Sequence, residues 1–251
     1  MGSGCFGKTY RMRHAVDQRL VAVKQSKQHV AGVSTEAKAL AAIPPHPHVI
    51  AYYDSRIVAL RLWLVMELVG DGTTVHPAKH SSWAEAITQQ VSAALAHVHR
   101  HGSIQRDVKH SNVLLRNSPG PFKKPHAVLT DFGLARATHA GGTYPPRSGA
   151  RGHIVYRAPE VAAGREHGPP SDMWQLGILV LELATGVTAD EIVGNSPSTG
   201  YHRTIAGWME KDEDGVATET LEDAPRAVRF LRFRAGDRPT ATLGSPRPQT
   251  R

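Results

Sequence analysis

The apolar pattern of this chain changes character at Gly70-Asp71-Gly72, and that break limits the architectures open to it. Before it, short β-type runs occupy positions 8–13, 20–25, 49–53 and 60–68, with a hairpin-like connection at 16–19. Positions 34–43 have helical composition, with Ser34 as the cap and Pro44-Pro45 as the stop. Beyond the break helices dominate. Over 83–100, Ile87, Val91, Leu95 and Val98 recur at spacings of three and four, which places them on one helix face. Residues 173–185 are apolar nearly all round, so that helix is expected to be buried. A third helix is expected at 225–234, loops at 117–125, 138–151 and 194–201, and a disordered tail at 241–251. The fold class is therefore α+β, with strands and one helix first and a larger helical part after them.

Composition narrows function mainly by exclusion. The net charge of +8 would suit a nucleic-acid binder, but the basic pairs and triplets do not interleave with aromatics, so none is expected. A groove for a triphosphate uses the same positive balance. The single cysteine, Cys5, precludes an intramolecular disulfide framework and fits a reducing compartment. No signal peptide or membrane span is expected: the longest apolar run, 173–184, is too short and contains Glu182. The series His97, His99, His101 lacks a matching carboxylate or cysteine cluster and reads as surface histidines rather than a metal site.

The chemistry-bearing residues are strung along the chain. Gly2-Ser3-Gly4-Cys5-Phe6-Gly7 is a loop in which glycines let backbone N–H groups approach phosphate oxygens. Alone it is a weak signal. Val21-Ala22-Val23-Lys24 follows, a strand ending in a lysine that can reach phosphates if a carboxylate holds it, and Glu36 is the candidate. Then come Arg106-Asp107-Val108-Lys109-His110-Ser111-Asn112, Asp131-Phe132-Gly133 and Ala158-Pro159-Glu160.

This ordered set resembles the catalytic motifs of eukaryotic-type protein kinases, of the serine/threonine class given Lys109, and the resemblance covers the chain from Gly2 to Thr240. It implies a two-lobed fold: a small antiparallel-sheet lobe with one helix and the hinge over 1–69, and a larger mainly helical lobe over 70–240. It implies ATP and Mg²⁺, a protein substrate, and an intracellular site, cytoplasmic or nuclear. Asp107 would take or orient the substrate hydroxyl proton and Lys109 would neutralise the γ-phosphate. Lys24, held by Glu36, would reach the α/β-phosphates, while Asn112 and Asp131 would hold the metal. Met66 would be the gatekeeper, Glu67 and Val69 would bond adenine through their backbones, and Ala22 and Leu114 would sandwich its ring. Asp172 would cap the buried helix and brace the catalytic loop, and Arg238 would pair with Glu160. Arg106 would read a phosphate placed by an upstream kinase on Ser148, Thr143 or Thr138.

Several positions depart from the family pattern. Gln105 stands where a histidine is usual, and a glutamine stacked with Phe132, Leu40 and Tyr52 is expected to loosen that stack. His153 replaces a threonine that bonds the catalytic aspartate and lysine, and Thr9 replaces a valine over adenine. The Lys24–Glu36 connection is short. The strand expected ahead of Gly2 is missing, which reads as a truncated gene model or a fragment. These departures support an alternative reading, a pseudokinase or scaffold with the fold but impaired transfer. Cys5 reads as an ordinary small loop residue.

Overall fold

The computed structural model describes residues 3–4, 7–29, 35–70, 72–116, 125–138 and 153–193. The expected helix at 225–234, the tail, Arg238, Thr143 and Ser148, and Gly2, Cys5 and Phe6 of the glycine loop lie outside them. One lobe is an antiparallel sheet of β1 (Ser3–Gly4), β2 (Gly7–Arg13), β3 (Leu20–His29), β4 (Tyr52–Val58) and β5 (Arg61–Glu67), in the order β1-β2-β3-β5-β4. Helix α1 (Thr35–Ala42) connects β3 to β4. β5 shows why this sequence forms a sheet: Leu62, Leu64 and Met66 point inward and alternate with half-exposed neighbours. Gly7 is required by packing as much as by any ligand, because a Cβ there would meet the Gln25 carbonyl oxygen of β3 at 2.1 Å.

β4 begins three residues later than the apolar run at 49–53 suggests. Val49 and Ile50 are apolar for a different reason: they are buried at the joint between the lobes, where Val49 bridges Leu129. β4 itself lies at the sheet edge with most of its residues exposed, so it carries little apolar alternation to read.

The chain leaves the sheet through Gly70 (φ +52°) and Gly72 (φ +88°), left-handed conformations that glycine adopts without Cβ strain. Helices α2 (Pro77–His80) and α3 (Ala84–Arg100) follow, then the short strands β6 (Ser103–Ile104), β7 (Val113–Arg116), β8 (His126–Leu129) and β9 (Arg136–Ala137), and helices α4 (Pro159–Ala162), α5 (Pro169–Thr185) and α6 (Ala189–Val193). β6 pairs with β9, and β7 with β8. Ile87, Val91, Leu95 and Val98 of α3 are all buried, as the spacing predicts. α5 starts four residues before the apolar run because Pro169 and Pro170 occupy its first turn, where no backbone N–H donor is needed. Every residue from Ser171 to Leu183 is buried, and α5 is the spine on which the second lobe packs. Among the described residues no helix is long and apolar enough to cross a membrane.

The lobes meet along one seam. The Ile50 N–H donates to the Leu129 carbonyl at 2.9 Å, and the Leu129 N–H donates to the His48 carbonyl at 2.9 Å. Segments from both lobes thereby converge at the end of β8, two residues before Asp131.

Candidate active site at the lobe junction

Lys24 lies on β3 two residues after Ala22, so both side chains leave the same face of the sheet. Its Nζ donates to Glu36 Oε1 of α1 at 2.7 Å and to Asp131 Oδ1 at 2.7 Å. The short connection after β3 thus does not prevent the Lys24–Glu36 pair. Burial by itself would lower the lysine pKa, but the two carboxylates outweigh it and hold the ammonium above its ordinary value. Its charge is therefore complete throughout the neutral range. Burial raises the Glu36 pKa and Asp131 adds to the rise, while Lys24 pulls against both.

The second half of the site is a loop held by α5. Asp172 is almost fully buried; its Oδ1 accepts from the Arg106 N–H at 2.8 Å and its Oδ2 from the Gln105 N–H at 2.9 Å and from His99 Nε2 at 2.8 Å. Gln175, one turn further along, accepts from the Val108 N–H at 2.9 Å and donates to the Arg106 carbonyl at 3.1 Å. These bonds stabilise Arg106 in a left-handed conformation (φ +72°), which costs a non-glycine residue about 1–3 kcal/mol. Asp172 is thus a brace for the loop. It is not the cap of α5, since it is the fourth residue of that helix and its oxygens are directed at the loop.

Within the loop, Asp107 Oδ2 accepts from Asn112 Nδ2 at 2.8 Å and faces Lys109 Nζ at 3.0 Å. The same Nδ2 also donates to the Asp107 carbonyl. Asp131 has a left-handed backbone (φ +58°), and Phe132 after it is fully buried. Two connections join the halves. The Thr130 N–H donates to the Asn112 carbonyl at 2.9 Å, and the Gln105 side chain bonds both Asp107 and Asp131. Lys24, Glu36, Asp107, Lys109, Asn112 and Asp131 therefore form one bonded assembly at the seam between the lobes.

The residues expected around adenine are close by. Ala22 pairs with Met66 across the sheet, and both are buried, as is Val69. Leu114 is partly buried and bridges Thr74. The Glu67 N–H donates to the Ala51 carbonyl, and the Val69 carbonyl accepts from Gly72. The Glu67 side chain pairs with Arg116 of β7 at 2.7 Å, a cross-lobe contact that no sequence motif signals. Of the glycine loop, β1 places Ser3 against Lys8 and Gly4 against Gly7.

Three features differ from the sequence reading. Gln105 is completely buried with its amide satisfied on both sides, so the substitution supplies bonds to this site rather than a polar group without partners. His97 and His99 are not surface residues: His97 is buried on the Pro44 carbonyl, and His99 belongs to the Asp172 brace. His153 is directed toward Asp190, 3.5 Å away, with its ring edge-on to Tyr156. Sequence reasoning also missed a buried group beside the loop. The fully buried Glu182 of α5 accepts from the Tyr156 hydroxyl at 2.6 Å and the Ala189 N–H at 2.7 Å, and faces His110 Nδ1 at 3.1 Å. A carboxylate inside the apolar stretch that follows Gln175 was its signal in the sequence. Glu160, also buried, accepts from Ser171 Oγ at 2.8 Å.

Comparison with known proteins agrees with this geometry. The family model described as "Protein kinase domain" matches residues 1–218. The serine/threonine-protein kinase AtPK1/AtPK6 of Arabidopsis thaliana is 30% identical over 199 residues, covering 74% of this chain and 40% of that protein. The serine/threonine-protein kinase mig-15 of Caenorhabditis elegans is 30% identical over 89% of this chain and 22% of its own length. The serine/threonine-protein kinase SMU1 of Mycosarcoma maydis is 34% identical over 56% of this chain and 18% of its own. The chain thus spans 40% or less of the length of these relatives. With the matched motifs gathered into one assembly between a sheet lobe and a helical lobe, this chain belongs to the protein kinase domain family.

Proposed function

We propose that this chain is the catalytic unit of a serine/threonine protein kinase and transfers the γ-phosphate of ATP to hydroxyls of protein substrates. The observation that carries the reading is the double contact of Lys24 with Glu36 and Asp131, together with the bonds that tie Asp131 to the Asp107 loop. Phosphoryl transfer asks a protein mainly for position and charge, and this assembly supplies both. Lys109 two residues after Asp107, and the naming of the relatives, support serine and threonine as acceptors.

In this reading Lys24 orients the α- and β-phosphates. The substrate hydroxyl oxygen forms its bond to the γ-phosphorus as the bond to the β-γ bridging oxygen breaks, and ADP departs. Asp107 takes the hydroxyl proton, and Lys109, now beside Asp107 Oδ2, balances charge on the transferring group. Asn112 uses its Nδ2 on Asp107, which leaves its amide oxygen, with the Asp131 carboxylate, as the hard oxygen donors that would hold Mg²⁺. Bound there, Mg²⁺ would neutralise charge on the phosphate oxygens. The backbones of Glu67 and Val69 would bond adenine between Ala22 and Leu114, and the glycine motif would serve the phosphates. Use of ATP supports a cytoplasmic or nuclear site. An upstream kinase acts on the segment after Asp131, with Ser148 favoured over Thr138, because the Thr138 hydroxyl donates to the Gly102 carbonyl at 3.1 Å and a phosphate would break that bond.

The test is transfer of labelled γ-phosphate to a generic basic protein. Asp107→Asn is expected to lower kcat about 10³-fold with the unfolding midpoint unchanged. Transfer surviving at the wild-type rate would remove Asp107 from its role. No transfer by the wild-type chain would overturn the reading in favour of a scaffold.

A further inference from the structure

We infer that Gln105 is a positioning residue that fixes the spacing between the proton-accepting Asp107 and the metal-side Asp131 through the two sides of its amide. Its Oε1 accepts from the Asp107 N–H at 2.6 Å, and its Nε2 donates to the Asp131 carbonyl at 3.0 Å and the Thr130 carbonyl at 3.2 Å. The amide orientation is dictated by its partners. Reversed, it would set NH₂ against an N–H donor and its oxygen against two carbonyls. Gln105 is 0% exposed, so water cannot replace any of these bonds.

Position matters here because the backbone next to both aspartates is unusual. Arg106, immediately before Asp107, and Asp131 itself have positive φ. Left-handed backbone persists only where its surroundings over-determine it. Asp172 holds the N–H groups of Gln105 and Arg106 from α5, but it does not reach the Asp131 segment in any described contact. The Gln105 amide does. It links the backbone of the residue that takes the proton to the backbone of the residue that meets Lys24, and so couples the substrate side of the site to the nucleotide side.

The chemical requirement is narrow. The side chain must accept and donate at once, from a dry site, in opposite directions. Leucine does neither and an ionised glutamate only accepts. A neutral imidazole can do both, but an imidazolium only donates.

This inference rests on the kinase reading above, and the experiment separates the two. Gln105→Leu, Gln105→Glu and Gln105→His are compared with wild type for kcat, for KM of peptide and ATP, and for thermal unfolding. Gln105→Leu and Gln105→Glu are expected to lower kcat about 100-fold, with KM for peptide within about threefold of wild type. The Gln105→His variant is expected to recover to within about tenfold of wild type at pH 8. Recovery by histidine, which can accept and donate, but not by glutamate, which is closer in shape and only accepts, is a pattern a purely packing role would not produce. Gln105→His no more active than Gln105→Glu overturns the positioning role even if the leucine variant fails to fold. So does a kcat loss that merely follows the folded fraction in every variant, or Gln105→Leu activity within about threefold of wild type. A wild-type chain without transfer overturns the kinase reading, and this inference with it.

Discussion

Around Lys24, formal charges lie in a buried site and are neutralised by contact; along the row His101, His97, His46, His48 and His126, ring follows ring in stacked, tilted and edge-on contacts, and among the described residues no carboxylate bonds them. In the first region one ammonium sits 2.7 Å from each of two carboxylates. In the second, ring centroids follow one another at 4.4 Å (His97–His101), 4.7 Å (His46–His97), 5.7 Å (His46–His48) and 4.8 Å (His48–His126). Each ring has a nitrogen on the backbone: His97 at the Pro44 carbonyl, His101 at the His97 carbonyl, His48 at the Ala127 carbonyl, His126 at the Pro47 carbonyl, and His46 accepting from the His48 N–H. The row ties the α1–β4 connection to α3 and β8, the same joint that positions Asp131. One region works because it is ionised, whereas in the other burial holds His46 and His48 toward the neutral form.

The largest effect should come from removing the buried anion that braces the loop carrying the other charged residues of the site. Asp172→Ala would leave the Gln105 and Arg106 N–H groups and His99 without an acceptor in a site water does not reach. It is expected to destabilise the fold by about 3–5 kcal/mol in urea unfolding. A loss under about 1 kcal/mol would mean the loop backbone finds other partners. Next in size is Lys24→Met, which removes the ammonium shared by Glu36 and Asp131. It should lower kcat about 100-fold while the chain still folds, because Asp131 remains partly exposed and Glu36, whose carboxyl burial already biases toward the neutral form, can take up a proton. Retained kcat would show that another cation orients the phosphates.

These two regions were unequally legible in the sequence. The cleft residues could be found because their chemistry demands particular side chains in a fixed order, and Lys24, Asp107, Asn112 and Asp131 each stand in such a run. The sheet and the helices α3 and α5 were legible from periodicity, although that signal marks burial rather than element ends. It placed a strand at Val49, which is buried at the joint outside β4, and it missed the first turn of α5, where two prolines carry no apolar signal. The histidine row was not legible. His46 and His48 lie far along the chain from His97, His101 and His126, and a polar residue packed on a distant polar residue leaves no periodic trace. Gln105 was legible as an exception, but its three bonds depend on carbonyls that only the fold brings within reach.

The smallest effect, and the most specific to the neutral side, is the response to acid. Burial lowers the pKa of His46 to about 4, and His97, His48 and Arg100, all cationic when protonated, add to the shift. Burial also lowers His48, with His126 and Arg116 in the same direction and the bond to Ala127 opposing them. His167, buried near Arg106 and Arg157, is lowered to about 4 as well, with Asp172 and Glu160 opposing. For each, the unfolded chain binds a proton near pH 6.5 that the folded chain refuses until about pH 4 or, for His48, at a pH below its ordinary value. The contribution is therefore unperturbed above about 6.5 and becomes destabilising as pH falls below it, by less than about 1.4 kcal/mol per pH unit for each group. Glu36 acts with the opposite sign: its raised pKa means the folded chain takes that proton first, so acid favours the fold through this group. Urea unfolding at pH 7 and at pH 5 should show wild type weaker at pH 5. His46→Asn, which keeps a polar side chain without a titrating ring, should narrow that gap, whereas Glu36→Gln should widen it. If neither substitution changes the gap, burial does not hold His46 toward its neutral form, and the contrast between the two regions fails on its uncharged side.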